Sequence, residues 1–205
     1  MAGNGKMTTI VFDFGNVLGL FDYQKSLTRL TAHSDMSAAD MYAALSGSFL
    51  WEEYETGRMR SAEFLGHLRA LLRLVCDDDV ISEAWCDIFQ PNMEVCSLVA
   101  QLKPRYRLLL GSNTNELHAA WFRRQFADTL KYFDHLVLSH EVGVRKPHAG
   151  FYEHCQRKAE ATPEQCVFID DLPANIAAAR QCGWHGILYR NFDDLQKELV
   201  AIGIL

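Results

Sequence analysis

The stretch Thr9-Ile10-Val11-Phe12-Asp13-Phe14-Gly15-Asn16-Val17-Leu18 decides how this chain is read. Ile10 to Asp13 reads as a buried strand that ends in a carboxylate, after which Gly15 and Asn16 turn the chain. In an open parallel sheet, ligands bind at the carboxyl ends of the strands. A carboxylate there faces a ligand rather than the core. The alternative is an Asp that merely starts a turn. Three later stretches share the design, each placing polar groups just after an apolar strand or at a rigid corner: Leu109-Leu110-Gly111-Ser112-Asn113, Arg145-Lys146-Pro147 and Val167-Phe168-Ile169-Asp170-Asp171.

Between the first of these stretches and the other three the pattern changes. From Gln24 to about Gln90 helical periodicity dominates and no strand is evident. Phe64, Leu68, Leu71, Leu72 and Val75 form one apolar stripe behind Ser61, a plausible N-cap, and Ile81, Trp85, Ile88 and Phe89 form another. Asp77, Asp78 and Asp79 suit the start of a helix. Residues 22–90 therefore read as an inserted helical cap. From Met93 onward helix and strand alternate, with strands expected near 107–110, 135–138, 167–170 and 187–189. The expected fold class is α/β, a Rossmann-like parallel sheet with helices on both faces. Residues 1–21 and 91–205 form its core domain.

Composition narrows the function. A chain of 205 residues with 49% hydrophobic and 22% charged residues suits a core with a modest insertion. The formal net charge of -6 offers no basic face for nucleic acid. No apolar run reaches the length of a membrane span, and an early first strand leaves no room for a signal peptide. The six cysteines form no Cys-x-x-Cys pair and the eight histidines lack metal spacing, which argues against zinc and for thiols in a reducing, cytoplasmic compartment. Oligomeric state is not legible.

Taken together and in this order, the four stretches resemble the four motifs of the haloacid dehalogenase (HAD) superfamily, over nearly the whole chain. The likeness is to small capped phosphatases, of the sugar-phosphate type and the phosphatase domain of soluble epoxide hydrolase. The resemblance implies an aspartyl-phosphate formed on Asp13, a phosphate held by Gly15, Asn16, Ser112, Asn113 and Lys146, and Mg²⁺ held by Asp13, the Gly15 carbonyl and Asp171. Asp170 would be a water-mediated ligand or a partner for Lys146, and Asn175 matches a polar position in the next helix. The chemistry is sensible on its own terms. An Asp with a pKa near ~4 is already ionised and needs no base. Three carboxylates beside one Lys would repel a phosphate dianion, and a divalent cation restores the balance. Ser112, Asn113 or Asn115 is equally able simply to cap the following helix.

The sequence departs from the family at Gly15. Most of the family's phosphatases carry an Asp there that protonates the leaving group and activates water. Losing a positioned acid costs about 10² to 10⁴ in rate. A water or a cap residue could replace it, or the leaving group could need little protonation, as in a sugar 1-phosphate. In the cap, Trp51, Tyr54, Glu55 and Arg58 are candidates for substrate choice, against the alternative of an aromatic stripe packed on its neighbours. The leading expectation is a Mg²⁺-dependent phosphatase for a small phosphorylated metabolite. A 2-haloacid dehalogenase, whose halide leaves without a proton, and a non-catalytic phosphate-binding module are the alternatives.

Overall fold

In the computed structural model, which describes residues 6–205, strand β1 (Thr9–Phe12) is buried along its whole length. It pairs on both edges in parallel, with β4 (Arg107–Ser112) and β6 (Cys166–Asp170). Ile10 and Phe12 enter one apolar cluster and Val11 enters another. A strand covered on both faces has no polar side to display, so its sequence is a continuous apolar run.

In chain order, β1 is followed by β2 (Gly19–Phe21), then helices α1 (Tyr23–Leu30), α2 (Ala38–Ser46), α3 (Leu50–Glu55), α4 (Ser61–Leu71) and α5 (Asp78–Cys86). The chain returns through β3 (Phe89–Pro91), α6 (Met93–Leu102), β4, α7 (Glu116–Gln125), α8 (Ala127–Leu130), β5 (His135–Leu138) and α9 (Ser139–Val142). It ends with α10 (Ala149–Ala159), β6, α11 (Pro173–Gln181), β7 (His185–Leu188) and α12 (Phe192–Ala201). The main sheet has the order β5-β4-β1-β6-β7, and every pairing in it is parallel. The order runs outward in both directions from β1, so a crevice opens at its carboxyl end, beside β4 and β6.

The expected helices and strands of the sheet region are present. Asn115 caps α7, and Gly183, at φ +85°, follows α11. Three details differ. Ser61 is the first residue of α4 and not its cap, because Arg60 holds the extended cap conformation. The first stripe stops at Leu72, since Arg73 turns left-handed (φ 52°) and leaves Val75 87% exposed. Ile88 and Phe89 are buried but lie past the end of α5, and Phe89 begins β3. β3 pairs antiparallel with β2, so the chain's exit to the helical segment and its return are joined as a ribbon. Three-residue strands are too short for a period-2 signal, which is why neither was foreseen.

Helices α1 to α5 bury a cluster of their own, centred on Trp85, Tyr54, Phe64 and Leu68. α7 holds them against the sheet. His118 Nε2 lies 3.1 Å from the Trp85 carbonyl, Leu117 N–H donates to Tyr54 Oη at 3.2 Å, and Ser61 Oγ donates to Glu116. Gly57 sits directly on the His140 carbonyl, where an added Cβ would lie 2.2 Å from the oxygen. No helix among the described residues is long and apolar enough to cross a membrane.

Candidate active site

The end of β1 sets the position of Asp13. Its N–H continues the ladder to the Ile169 carbonyl (2.8 Å), and its Oδ1 accepts from Phe14 N–H (2.7 Å). The chain then closes a tight loop: Asn16 N–H donates to Gly19 O, and Gly19 N–H returns to Phe14 O at 2.8 Å. The left-handed residue of this loop is Asn16 (φ 53°), not Gly15. Gly15 meets a different constraint, because a Cβ there would lie 2.9 Å from the Phe21 ring and the ring would have to shift. Asn16 Nδ2 donates to Asp171 Oδ2 at 3.2 Å, tying the first motif to the last.

Lys146 is 2% exposed, and its ammonium fills the space between motifs. It lies 2.7 Å from Asp13 Oδ1 and 2.7 Å from Asp170 Oδ2, and it donates to the Gly111 carbonyl at 2.9 Å. Asp170 is wholly buried, and Lys146, Leu172 N–H and both contacts from Asn175 Nδ2 occupy its oxygens. It therefore sits as the partner of Lys146, one of the two arrangements expected for it. The Asn113 side chain accepts from Lys146 N–H (2.7 Å) and donates to Lys146 O (2.9 Å), so it holds the lysine's backbone, and the residue also lines the cavity. Ser112, 2% exposed, lines the cavity and makes only a long 3.3 Å contact to the Asn113 carbonyl.

One oxygen from each of Asp13, Asp170 and Asp171 can be chosen so that all three lie within 4.8 Å of one another. Three carboxylates with one ammonium leave two formal negative charges without a partner. Burial drives the Asp13 carboxyl up to about 7, against the pull of Lys146 and with the push of Asp170 and Asp171. Burial also raises Asp171. For Lys146, burial alone would lower the ammonium, but the Asp13 and Asp170 charges outweigh it and hold it above its ordinary value. The Asp13 and Asp171 oxygens, this close together, short of positive charge and lining a cavity, suit a hard divalent cation.

The cavity above them has a volume of about 500 Å³. Its floor holds Asp13, Gly15, Asn16, Ser112, Asn113, Lys146 and Asp171; its far wall holds Tyr23 of α1, Tyr42 and Ser46 of α2, and Trp51 and Glu55 of α3. Tyr23 packs on Phe21 at 5.1 Å and on Trp51 at 5.0 Å between ring centroids. Of the four candidates in the helical segment, Trp51 and Glu55 reach the cavity. Tyr54 and Arg58 do not. Tyr54 is 2% exposed and stacked on Phe64 at 4.1 Å, facing the segment's own core. Arg58 lies on the outer surface and pairs with Glu53 at 2.8 Å and Glu52 at 3.5 Å. On a helix, neighbours in sequence point in different directions, and packing selects which of them meets the site.

A family model described as haloacid dehalogenase-like hydrolase matches residues 7–183. The chain belongs to the haloacid dehalogenase-like hydrolases. Among curated proteins, this hydrolase is 25% identical over 199 residues to D-ribitol-5-phosphate phosphatase from Bacteroides thetaiotaomicron, covering 94% of this chain and 97% of that protein. A HAD-like family hydrolase from Porphyromonas gingivalis superposes with a TM-score of 0.81 at 26% identity, covering 96% of this chain and 98% of that one. A HAD family enzyme from Bacteroides thetaiotaomicron, in complex with magnesium and inorganic phosphate, superposes with a TM-score of 0.79 at 21% identity over 90% of this chain and 94% of its own.

Several residues that shape this hydrolase's site left no signal in the sequence. Ser139 Oγ accepts from Thr114 N–H and donates to Thr114 O, both at 2.9 Å, which clamps the loop after β4. His118 is buried, its Nδ1 3.1 Å from Asn115 Nδ2, and burial lowers it to about 4. Arg145 was visible beside Lys146, but its partner Glu55, 3.1 Å away, is 90 positions distant in the chain.

Proposed function

We propose that this hydrolase is a Mg²⁺-dependent phosphatase that cleaves a small phosphorylated metabolite through an aspartyl-phosphate on Asp13. The observation that carries the reading is the three-carboxylate cluster around a single buried ammonium at the foot of a cavity of about 500 Å³. Asp13, Asp171 and the Gly15 carbonyl are the groups that would hold Mg²⁺. Bound there, the ion supplies the two missing positive charges and a Lewis-acid contact for a phosphoryl oxygen. Lys146 lies against the Asp13 carboxylate and is positioned to neutralise charge on the transferring phosphoryl group. Ser112 Oγ, which has only its long contact to give up, serves as a further donor to that group. Asn16 keeps Asp171 in register with Asp13, and Asn113 keeps Lys146 in place.

The helices of residues 22–90 act in this reading as a cap whose inner wall meets the organic part of the substrate. Trp51, Tyr23 and Phe21 offer it aromatic faces, Arg145 offers it positive charge, and Glu55 offers it a carboxyl group. A sugar 1-phosphate, which leaves readily, suits a core with no side chain at Gly15. The six cysteines are free thiols, in keeping with work in a reducing, cytoplasmic compartment.

The test measures phosphate and chloride release from panels of phosphate esters and 2-haloacids, with Mg²⁺ and with excess chelator. The expected result is phosphate release that needs Mg²⁺ and falls by at least about 10⁴ in Asp13→Asn, because a covalent step has lost its nucleophile. Chloride release without metal would replace this reading with a dehalogenase, and phosphate binding without turnover would leave a binding module.

A further inference from the structure

Resting on the phosphatase reading, we infer that Glu55 of the helical segment takes the acid and base role that the core lacks at Gly15: it protonates the leaving oxygen and then activates the water. Glu55 is the last residue of α3, lines the same cavity as Asp13 and is 13% exposed. Its Oε2 is buried and lies 3.1 Å from an Arg145 Nη2, yet it has no aligned hydrogen bond from any group. A carboxyl oxygen buried beside a cavity, with an arginine near it but no aligned hydrogen bond, is a costly arrangement that a proton or a ligand relieves.

The surroundings favour a proton on this group. Burial raises the carboxyl, and the Arg145 and Lys146 charges only partly offset it. A helix C-terminus disfavours a negative charge as well. Besides these two cations, the other titratable group in its field is Tyr23, whose phenol burial pushes far above its ordinary value. The influence of Lys146 on Glu55 also places Glu55 within electrostatic reach of the ammonium that touches Asp13.

Other titratable groups of the cavity are less suited. His118 is lowered to about 4 and has one ring nitrogen on Asn115 and the other on the Trp85 carbonyl. Tyr23 holds its proton too tightly to exchange it near neutrality. Asp171 accepts from Asn16 and belongs to the proposed metal ligands. An Asp introduced at position 15 would collide with Phe21. An Asp13 oxygen bonds to phosphorus while the ester P–O bond breaks, and the Glu55 proton passes to the departing oxygen, giving the alcohol. The Glu55 carboxylate then takes a proton from water as the water oxygen bonds to phosphorus and the Asp13 O–P bond breaks. Phosphate leaves, and both carboxyl groups return to their starting states. With an acid in the cap, substrates need not be restricted to sugar 1-phosphates.

The experiment uses the full chain with saturating Mg²⁺ and single-turnover rates on aryl phosphates of graded leaving-group pKa, together with one alkyl phosphate. The parent is expected to show a shallow dependence on leaving-group pKa. Glu55→Gln should steepen that dependence, slow the alkyl ester by about 10² to 10⁴, and leave the best aryl ester within about threefold in its first step. For that aryl ester the variant should accumulate the acid-stable phosphoenzyme mass, because the second step has lost its base. A steep dependence in the parent overturns the inference with no variant needed. Equal slopes in parent and Glu55→Gln overturn it too, while the loss of turnover in Asp13→Asn would keep the phosphatase reading. Absence of all turnover in the parent removes both.

Discussion

The floor and the far wall of the cavity are built on different principles. On the floor, Asp13, Ser112 and Asp171 stand at strand ends, where backbone ladders set their place, with Asp13 N–H bonded to the Ile169 carbonyl at 2.8 Å, whereas Lys146 stands in the loop before α10 and is held by the Asn113 side chain. Asp170 there is saturated, accepting from three neighbours. On the wall, Trp51 and Glu55 come from a six-residue helix with no side-chain cap, held by the apolar cluster beneath it. Its key carboxylate has an unbonded oxygen. A sheet end gives geometric precision for reactive atoms, whereas a packed helix gives a replaceable surface.

The sharpest way to break this comparison is to cut the floor at two points. Asp171→Ala should lower apparent Mg²⁺ affinity by about 10² or more while sparing metal-free stability, since it removes a repelled carboxylate. Asn175→Ala should do the reverse. It strips two hydrogen bonds from buried Asp170, at 2.9 and 3.0 Å, and should cost about 2–3 kcal/mol in denaturant unfolding with a smaller change in Mg²⁺ affinity. Equal effects on metal binding would mean that the floor is one undivided network. The pH dependence sharpens the same point. Because folding raises Asp13 to about 7, its contribution to metal-free stability is present below the unfolded value near ~4 and is lost as pH rises through about 7. Thermal melts should therefore show a larger Mg²⁺ stabilisation at pH 8 than at pH 5.5, where the ion must displace a proton.

A smaller effect is expected where floor and wall meet. Gly15→Ala forces a Cβ to 2.9 Å from the Phe21 ring and should cost about 1–3 kcal/mol. Phe21→Leu in the same chain should recover most of it. If the double variant recovers nothing, the glycine is needed for some reason other than this approach. The smallest effect is predicted for Arg58→Ala. Its ion pairs are exposed, with the arginine side chain 48% accessible, so the denaturant midpoint should be nearly unchanged. KM for the best phosphate ester should stay within about twofold, whereas Trp51→Ala should raise it. A rise in KM with Arg58→Ala would place substrate outside the cavity described above.

The parallel sheet, the helical insertion and the four strand-end motifs were legible in the residues alone. A buried parallel strand requires an unbroken apolar run, and a strand end requires a turn, so Asp13, Ser112, Lys146 and Asp170 stood at positions that local chemistry marks. The β2–β3 ribbon, the stop at Arg73 and the direction of Tyr54 were not legible. The strands were too short for a period, the turn used a residue with no conformational signature, and the facing of Tyr54 depends on Phe64 and Leu117. The sequence by itself determined which residue types stand at the strand ends, and with them the acid-rich chemistry of the floor. Only the tertiary structure decided that Asn113 serves Lys146, that Asp170 is consumed by its neighbours, and that Glu55 meets Arg145 across 90 positions. The Glu55–Arg145 contact arises where the helical segment packs against the loop before α10, and no local rule of spacing encodes it.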